Sequence, residues 1–358
     1  MVGTRKQVGT DFRVGTEARL LLAAFPSPAA PPSVDVEMND RRKEHTMRKL
    51  MALVVLGAAV AALSAIPAAA NPPGTNGLLS FTRWEPALQE DVVYTVNPDG
   101  SHEQQLLVGG ESGHWSPDGS RIAVVLDCCG ERILNPDNGS YTQLPTFYPD
   151  LGLFLPCVVW SPNGAQLACE GFGEDPSADG VYTINSLDGG GVQRVTAGGD
   201  DDQPGDYSPN GKRVVFARAS FDLGVEALYI VRTDGTGLRR ITPVGMDYAF
   251  NGGSWSPQGN EILFSARSTP GARLSIFAVH ADGSGLRQIP ISTCGSASGC
   301  FEPVWSPDGT KIAFTMFLPQ TGQTDLYTVN ADGTGLYQVT HAGLGAGLKD
   351  WGTHPLTR

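Results

Sequence analysis

The sequence predicts an all-β chain: a six-bladed β-propeller of four-stranded antiparallel blades, closed by pairing of its N- and C-terminal strands. Three observations carry that expectation. An aromatic-Ser-Pro-Asx-Gly stretch recurs at Trp115, Trp160, Tyr207, Trp255 and Trp305, with Gln258 replacing the Asx in the fourth copy. The interval of roughly 45 to 50 residues is that of a propeller blade or a solenoid repeat. A second signature follows each copy, cleanest as Tyr327-Thr328-Val329-Asn330-Ala331-Asp332-Gly333.

Each part of the repeat has a physical reading. In Trp305-Ser306-Pro307-Asp308-Gly309 the aromatic residue ends one strand. Pro then presets φ, Asp bonds back to nearby backbone N–H groups, and Gly supplies a positive φ. Ile312-Ala313-Phe314 restarts the chain as a buried strand. Asp-Gly after the next apolar run signals a hairpin, and a short strand such as Tyr337-Gln338-Val339-Thr340 completes the unit. Four short antiparallel strands per unit make one blade.

From the start of the chain, residues 1–46 show no sustained periodicity and end in the charged run Asp40-Arg41-Arg42-Lys43-Glu44. They read as a mis-annotated or disordered leader, with translation starting at Met47. Residues 47–70 hold Met47-Arg48-Lys49, an apolar run from Leu50 to Ile66, and Ala68-Ala69-Ala70. This is the charged, apolar and small-residue order of a secretory signal peptide. An uncleaved anchor is the alternative, although the run is marginal for spanning a bilayer. Residues 71–358 then form the propeller, secreted or extracytoplasmic, with no stable membrane span after cleavage. The ring count comes from its ends. Trp351 stands one repeat after Trp305, with too little chain beyond it for another blade, while Leu79-Ser80-Phe81 lacks a preceding inner strand. Pairing Trp351–Pro355 with Leu79–Arg83 closes six blades and removes two open edges.

The whole chain carries a net charge of −12. That balance argues against nucleic acid and anionic membrane as partners and suits a soluble monomer. Six cysteines in an exported chain permit disulfides. Cys294 and Cys300 bracket one loop and form the first expected pair. One of Cys128 or Cys129 with Cys157 is the second. Cys169 stands where other blades carry Phe and reads as a small buried hydrophobe. No Cys-x-x-Cys pair supports zinc.

The repeated W-S-P-D-G-x-x-I-A-F and Y-x-x-N-x-D-G signatures resemble the TolB-type, or WD40-like, propeller repeat over nearly all of residues 78–358. The resemblance implies a six-bladed ring in an extracytoplasmic setting that binds partner proteins. The family's namesake carries an α/β domain before its propeller. Here the repeats begin within about ten residues of the expected cleavage site, so that domain is expected to be absent.

Catalytic signatures are sparse. There is no G-x-S-x-G nucleophile elbow. His114 and His354 flank inner-strand aromatics and could approach the central channel, where the related oligogalacturonate lyases place a His-rich metal site. The two remaining functional classes are a non-catalytic propeller binding a protein or cell-wall component, and a lyase or hydrolase acting on an extracellular polymer. Strand order sends the Pro-containing and Asp-Gly turns to one face and the variable loops to the other, where recognition is usually placed. Acids collect in those loops. Asp200, Asp201, Asp202, Asp247, Glu302 and Asp350 all precede inner strands and should ring the channel mouth. Arg121, Arg194, Lys212, Arg213, Arg239, Arg240, Arg287 and Lys311 collect beside the fixed turns. The expected ligand of the acidic face is a basic protein segment first and Ca²⁺ second; no other cofactor is expected.

Overall fold

The structure is a computed structural model. It describes residues 74–356 apart from 127–129, 198–200, 221–224, 245, 247–249, 270, 296–297 and 342. The expected leader and signal peptide lie outside the described residues. Among the described residues no helix is long and apolar enough to cross a membrane.

The repeated turn forms because its side chains satisfy its own backbone. In the second blade the Ser116 hydroxyl accepts the Arg121 N–H at 2.9 Å and donates to Asp118 at 2.6 Å, while Asp118 accepts the Ser120 N–H at 3.1 Å. Gly119, at φ 68, donates its N–H to the Ser116 carbonyl. Ser161, Ser208 and Ser306 repeat the same bonds. Where Gln258 replaces the Asx, Ser256 turns to Asn260 instead, at 2.8 Å.

Six antiparallel sheets form a ring of four-stranded blades, the third blade's sheet being extended to six strands by a hairpin. The innermost strands are Gly347–Trp351, His114–Trp115, Cys157–Trp160, Asp201–Tyr207, Phe250–Trp255 and Cys300–Trp305. Within a blade, the second and third strands pair Phe81 with Tyr94, Phe216 with Tyr229, Phe264 with Phe277 and Phe314 with Tyr327. All four Phe side chains are buried, and their rings stack at 5.4–6.1 Å from their partners. The short fourth strand is tied by a threonine just beyond it. Thr196, Thr242 and Thr340 accept the N–H of Val181, Leu228 and Leu326 at 2.8, 3.1 and 3.0 Å.

Blades pack through the aromatic ends of the inner strands and through the Asp-Gly turns. Trp160 donates its indole N–H to the His114 carbonyl of the preceding blade at 3.0 Å. Gly100, at φ +79, sits so close to the Val339 carbonyl of the adjoining blade that a Cβ there would lie 2.4 Å from it. The glycine thus serves both the turn and the blade contact.

Closure by the terminal strands is as expected in principle and shifted in detail. The strand that pairs with Leu79–Glu85 ends at Trp351 rather than beginning there, with Leu79 opposite Trp351 and Phe81 opposite Leu348. The residues beyond it cross to the second blade. The His354 ring stacks on Trp115 at 5.0 Å and donates to the Gly119 carbonyl at 2.6 Å, and Thr353 donates to Pro117 at 3.1 Å. The opposite tail crosses the other way: Gly74 donates to Pro307 at 3.0 Å and Asn76 accepts from Asp308 at 3.1 Å. The two tails thereby clasp blades on both sides of the seam.

Two disulfides are formed among the described residues. Cys294–Cys300 closes the expected loop. Cys157 bonds Cys169, not Cys128 or Cys129, both of which lie outside the described residues. The reason is register: Cys157 and Cys169 stand directly opposite each other on neighbouring strands, and side chains at such a position already point the same way. Cys169 is fully buried, but as a bridge rather than as a free thiol.

The clasp and the closing strand separate experimentally. Removing residues 352–358 loses one ring stack and a few hydrogen bonds and should cost about 1–3 kcal/mol. Removing 347–358 also removes the buried Leu348 and Trp351 and should cost about 5–10 kcal/mol. Urea unfolding of the two truncations checks this; equal midpoints would mean that the final strand does not close the ring.

The candidate binding channel

The inner strands surround a central channel of about 730 Å³. Five of the six inner strands carry an irregularity of register against the second strand, and such bulges re-aim side chains. In the last blade the bulge holds Glu302 at φ 55, a left-handed conformation uncommon for a residue with a Cβ. In the fifth it holds Gly252 and Gly253. There the backbones of neighbouring blades touch: a Cβ on Gly205 would lie 2.2 Å from the Gly252 carbonyl carbon.

The residue before each inner-strand aromatic lines the channel. Around the ring these are Asp350, His114, Val159, Asp206, Ser254 and Val304. Asp350 and Asp206 belong to blades three apart, so they stand on opposite walls. Each bonds the backbone of the following blade. Asp206 accepts the Trp255 N–H at 2.8 Å, and Asp350 accepts the Trp115 N–H at 2.9 Å and its neighbour Trp351 N–H at 2.7 Å. Burial pushes the Asp350 carboxyl up to about 6 in spite of those donors. Burial also pushes Asp206 up to about 8, with the Asp350 charge adding to the rise. His114 is pushed down to about 4 by burial and by the Lys349 ammonium, so it is neutral at pH 7.

Glu111, Glu170, Gln203, Glu302 and Lys349 also line the channel, with Phe154 and Phe172 beside them. Thr315 donates to Glu302 at 2.7 Å, and the Lys349 ammonium lies 3.9 Å from its other oxygen. Among the described residues no three His, Cys, Asp or Glu side chains converge to hold a metal ion.

The residues expected at the mouth divide. Glu302 and Asp350 line the channel. Asp200 and Asp247 lie outside the described residues. Asp201 is half-buried at the start of its strand. Asp202 is buried and ion-paired: it stands opposite Arg218, receives two guanidinium bonds at 2.6 and 2.7 Å and accepts from Thr196 at 2.6 Å. Arg218 in turn lies over Phe216 and Tyr229. The first blade repeats the device with Arg83, bonded twice to Glu103 and stacked over Phe81 and Tyr94. Asp202 therefore holds its blade together.

Asp206, Lys349 and the two phenylalanines were not among the residues expected from the sequence at the mouth. The usable signal was position: the residue before the repeated aromatic faces the channel. The two histidines do not meet. His114 is on the channel wall, whereas His354 stacks on Trp115 beside Gly119 and Asp137. The basic residues are not simply ranked along the turns either. Arg194 donates to the Ser177 and Asp179 carbonyls of a variable loop, and Arg287 pairs with Glu261.

Among solved structures, the fold is similar to TolB from Acinetobacter baumannii, with a TM-score of 0.63 and 18% identity over 77% of this chain and 66% of that one. The chain thus spans slightly under two thirds of the Acinetobacter protein. A putative TolB from Agrobacterium tumefaciens gives 0.59 and 20% over 78% of this chain and 94% of that one. An oligogalacturonate lyase in complex with manganese gives 0.51 and 15% over 71% and 73%. No protein-family model and no curated protein matches the sequence. The fold is that of a TolB-type propeller.

Two measurements test the electrostatics. Because the folded state holds protons on Asp206 and Asp350 that the unfolded chain releases near pH 4, stability falls as pH rises from about 4 to 8. Asp206→Asn should flatten that decline in melting temperature; an unchanged slope would show that Asp206 ionises normally. Asp202→Asn breaks the buried pair with Arg218 and should cost about 3–5 kcal/mol, whereas Asp201→Asn should stay within about 0.5 kcal/mol. Equal losses in urea unfolding would contradict the division of roles.

Proposed function

We propose that this protein is an exported, non-catalytic propeller that binds a protein or cell-envelope component by receiving a basic segment at the acidic mouth of its channel. The observation that carries this reading is the pair of opposed wall carboxylates, Asp206 and Asp350, beneath a mouth that includes Glu302. Both carboxyls are held above the ordinary range by burial. An entering ammonium or guanidinium group supplies the counter-charge that would ionise them.

The two disulfides fit an oxidising compartment, in keeping with the signal-peptide-like segment at residues 47–70. The alternative of a polymer-cleaving lyase draws on the fold it shares with the manganese-bound lyase structure. It is less favoured because His114 and His354 occupy separate places. Ca²⁺ is the second candidate for the same carboxylates and would compete with the basic segment.

Binding of a Lys/Arg-rich decapeptide, followed by isothermal titration, tests the reading. Affinity should weaken as salt rises. It should strengthen between pH 6 and 8, as Asp350 and then Asp206 lose their protons, and Glu302→Gln should weaken it by roughly three- to tenfold. An acidic peptide should not bind. Salt-independent binding, or equal affinity for Glu302→Gln, would place the ligand elsewhere; release of oligosaccharide from an acidic polymer would support the lyase.

A further inference from the structure

Among the described residues, the connection between the second and third blades differs from the other connections between blades. It forms a small hairpin, with strands Phe147–Tyr148 and Leu153–Phe154. The hairpin pairs with the overhanging end of strand Gln166–Gly173, Phe154 opposite Phe172 and Leu153 opposite Gly173. Three phenylalanine rings, one from each strand, pack in a row: Phe147 tilted against Phe154 at 4.7 Å and Phe154 stacked on Phe172 at 5.7 Å. The inner two line the channel. The outer one, Phe147, is 44% exposed, and Leu151 at the tip is 49% exposed.

This lip is fixed at its root. The Cys157–Cys169 bridge joins residues three positions from Phe154 and from Phe172. The Cys157 N–H is held at 2.9 Å by Glu131, a buried carboxyl that burial pushes well above its ordinary range. Tyr148 donates to the Gly189 carbonyl at 2.8 Å, and the Leu155 N–H reaches Thr146 at 2.7 Å. A stapled, hydrogen-bonded element presenting aromatic rings to water has its ordering cost met before a ligand arrives, which is the condition for a hot spot. On the same strand, two residues before Phe172, Glu170 lines the channel as well, so apolar and carboxyl side chains are presented side by side.

From this juxtaposition we infer that the hairpin sets the sequence preference of the channel, receiving a large apolar or aromatic side chain that flanks the cationic residue of a partner protein's extended segment. The inference rests on the basic-segment reading above and specifies it. Charge favours such a partner over a second copy of this acidic chain. Area does too: two half-exposed side chains offer roughly 200 Å², far below the 800 Å² per partner of a stable interface.

Three decapeptides of otherwise Gly-Ser sequence, carrying Lys-Phe, Lys-Ser or Ser-Phe at the centre, are titrated against the full chain and against Phe147→Ser and Leu151→Ser. Unchanged melting temperatures confirm that the variants are folded. The Lys-Phe peptide should bind the parent about ten- to a hundredfold more tightly than either other peptide. Phe147→Ser should reduce that preference at least fivefold while leaving Lys-Ser affinity unchanged. If Lys-Phe and Lys-Ser bind equally, or the preference survives in both variants, the lip is not the selector although the acidic mouth still binds. If no Lys peptide binds, the basic-segment reading falls and this inference with it. If sedimentation shows the parent to be a dimer that either variant dissociates, the lip's occupant is a second copy and the inference is overturned.

Discussion

Everything in this molecule depends on the hydrogen-bonded seam between Leu79–Glu85 and Gly347–Trp351. A four-stranded blade exposes the apolar surfaces that face its neighbours, so an open row of blades would leave both end blades uncovered. The seam covers them by making one blade from both ends of the chain. Its hydrophobic cluster shows the consequence: Leu79, Phe81, Leu348 and Trp351 pack with Ala313 and Leu326 of the preceding blade. The two tails crossing outward, one to Pro307 and one to Trp115, spread the load of the joint over three blades. Only in a closed ring do Asp206 and Asp350 face each other, so the channel's chemistry is a product of closure.

Those carboxylates serve two roles that oppose one another. As acceptors for the Trp255 and Trp115 N–H groups they dock blade to blade. As buried acids they resist ionising, and their charges repel. Ser254 shows what docking alone requires: its hydroxyl lies 3.4 Å from the Trp305 N–H and adds no charge. An acid at the same position is a costlier choice for the fold, and it can supply a charge when a cation enters, which a hydroxyl cannot. The turn aspartates show the contrast. Asp234 and Asp332 are held below the ordinary range by a threonine hydroxyl and backbone N–H groups, because they are solvated and their donors are local.

The fold was legible in the sequence because its determinants are local and repeated. Ser, Pro, Asx and Gly act within five residues, and that span is copied five times. Closure was legible from the missing strand at one end and the spare at the other, although the spare strand's direction from Trp351 was not. Asp202 was misleading because its partner, Arg218, lies across a strand pair rather than nearby in sequence. Cys157 was misleading for the same reason: its partner is fixed by cross-strand register, which one bulge can shift. Asp206 was hidden differently. Its position relative to the aromatic residue was visible, as it was for His114, but the inner strand's bulge decides which neighbour turns to the channel.

Asp202 and Asp350 make the last point about reading such a chain. Both are aspartates on inner strands, and composition treats them alike. Asp202 is answered by a guanidinium sandwiched on two aromatic rings, so its charge is consumed inside the blade. Asp350 is answered only by backbone N–H dipoles, which satisfy its hydrogen bonding without neutralising its charge. A ligand cation gains nothing from the first and can gain from the second. The number of acids in the loops is therefore a poor guide to where a basic partner docks. What matters is whether a carboxylate's partners also carry the opposite charge, and on the channel wall that condition separates Asp206 and Asp350 from Glu302, which already lies beside Lys349.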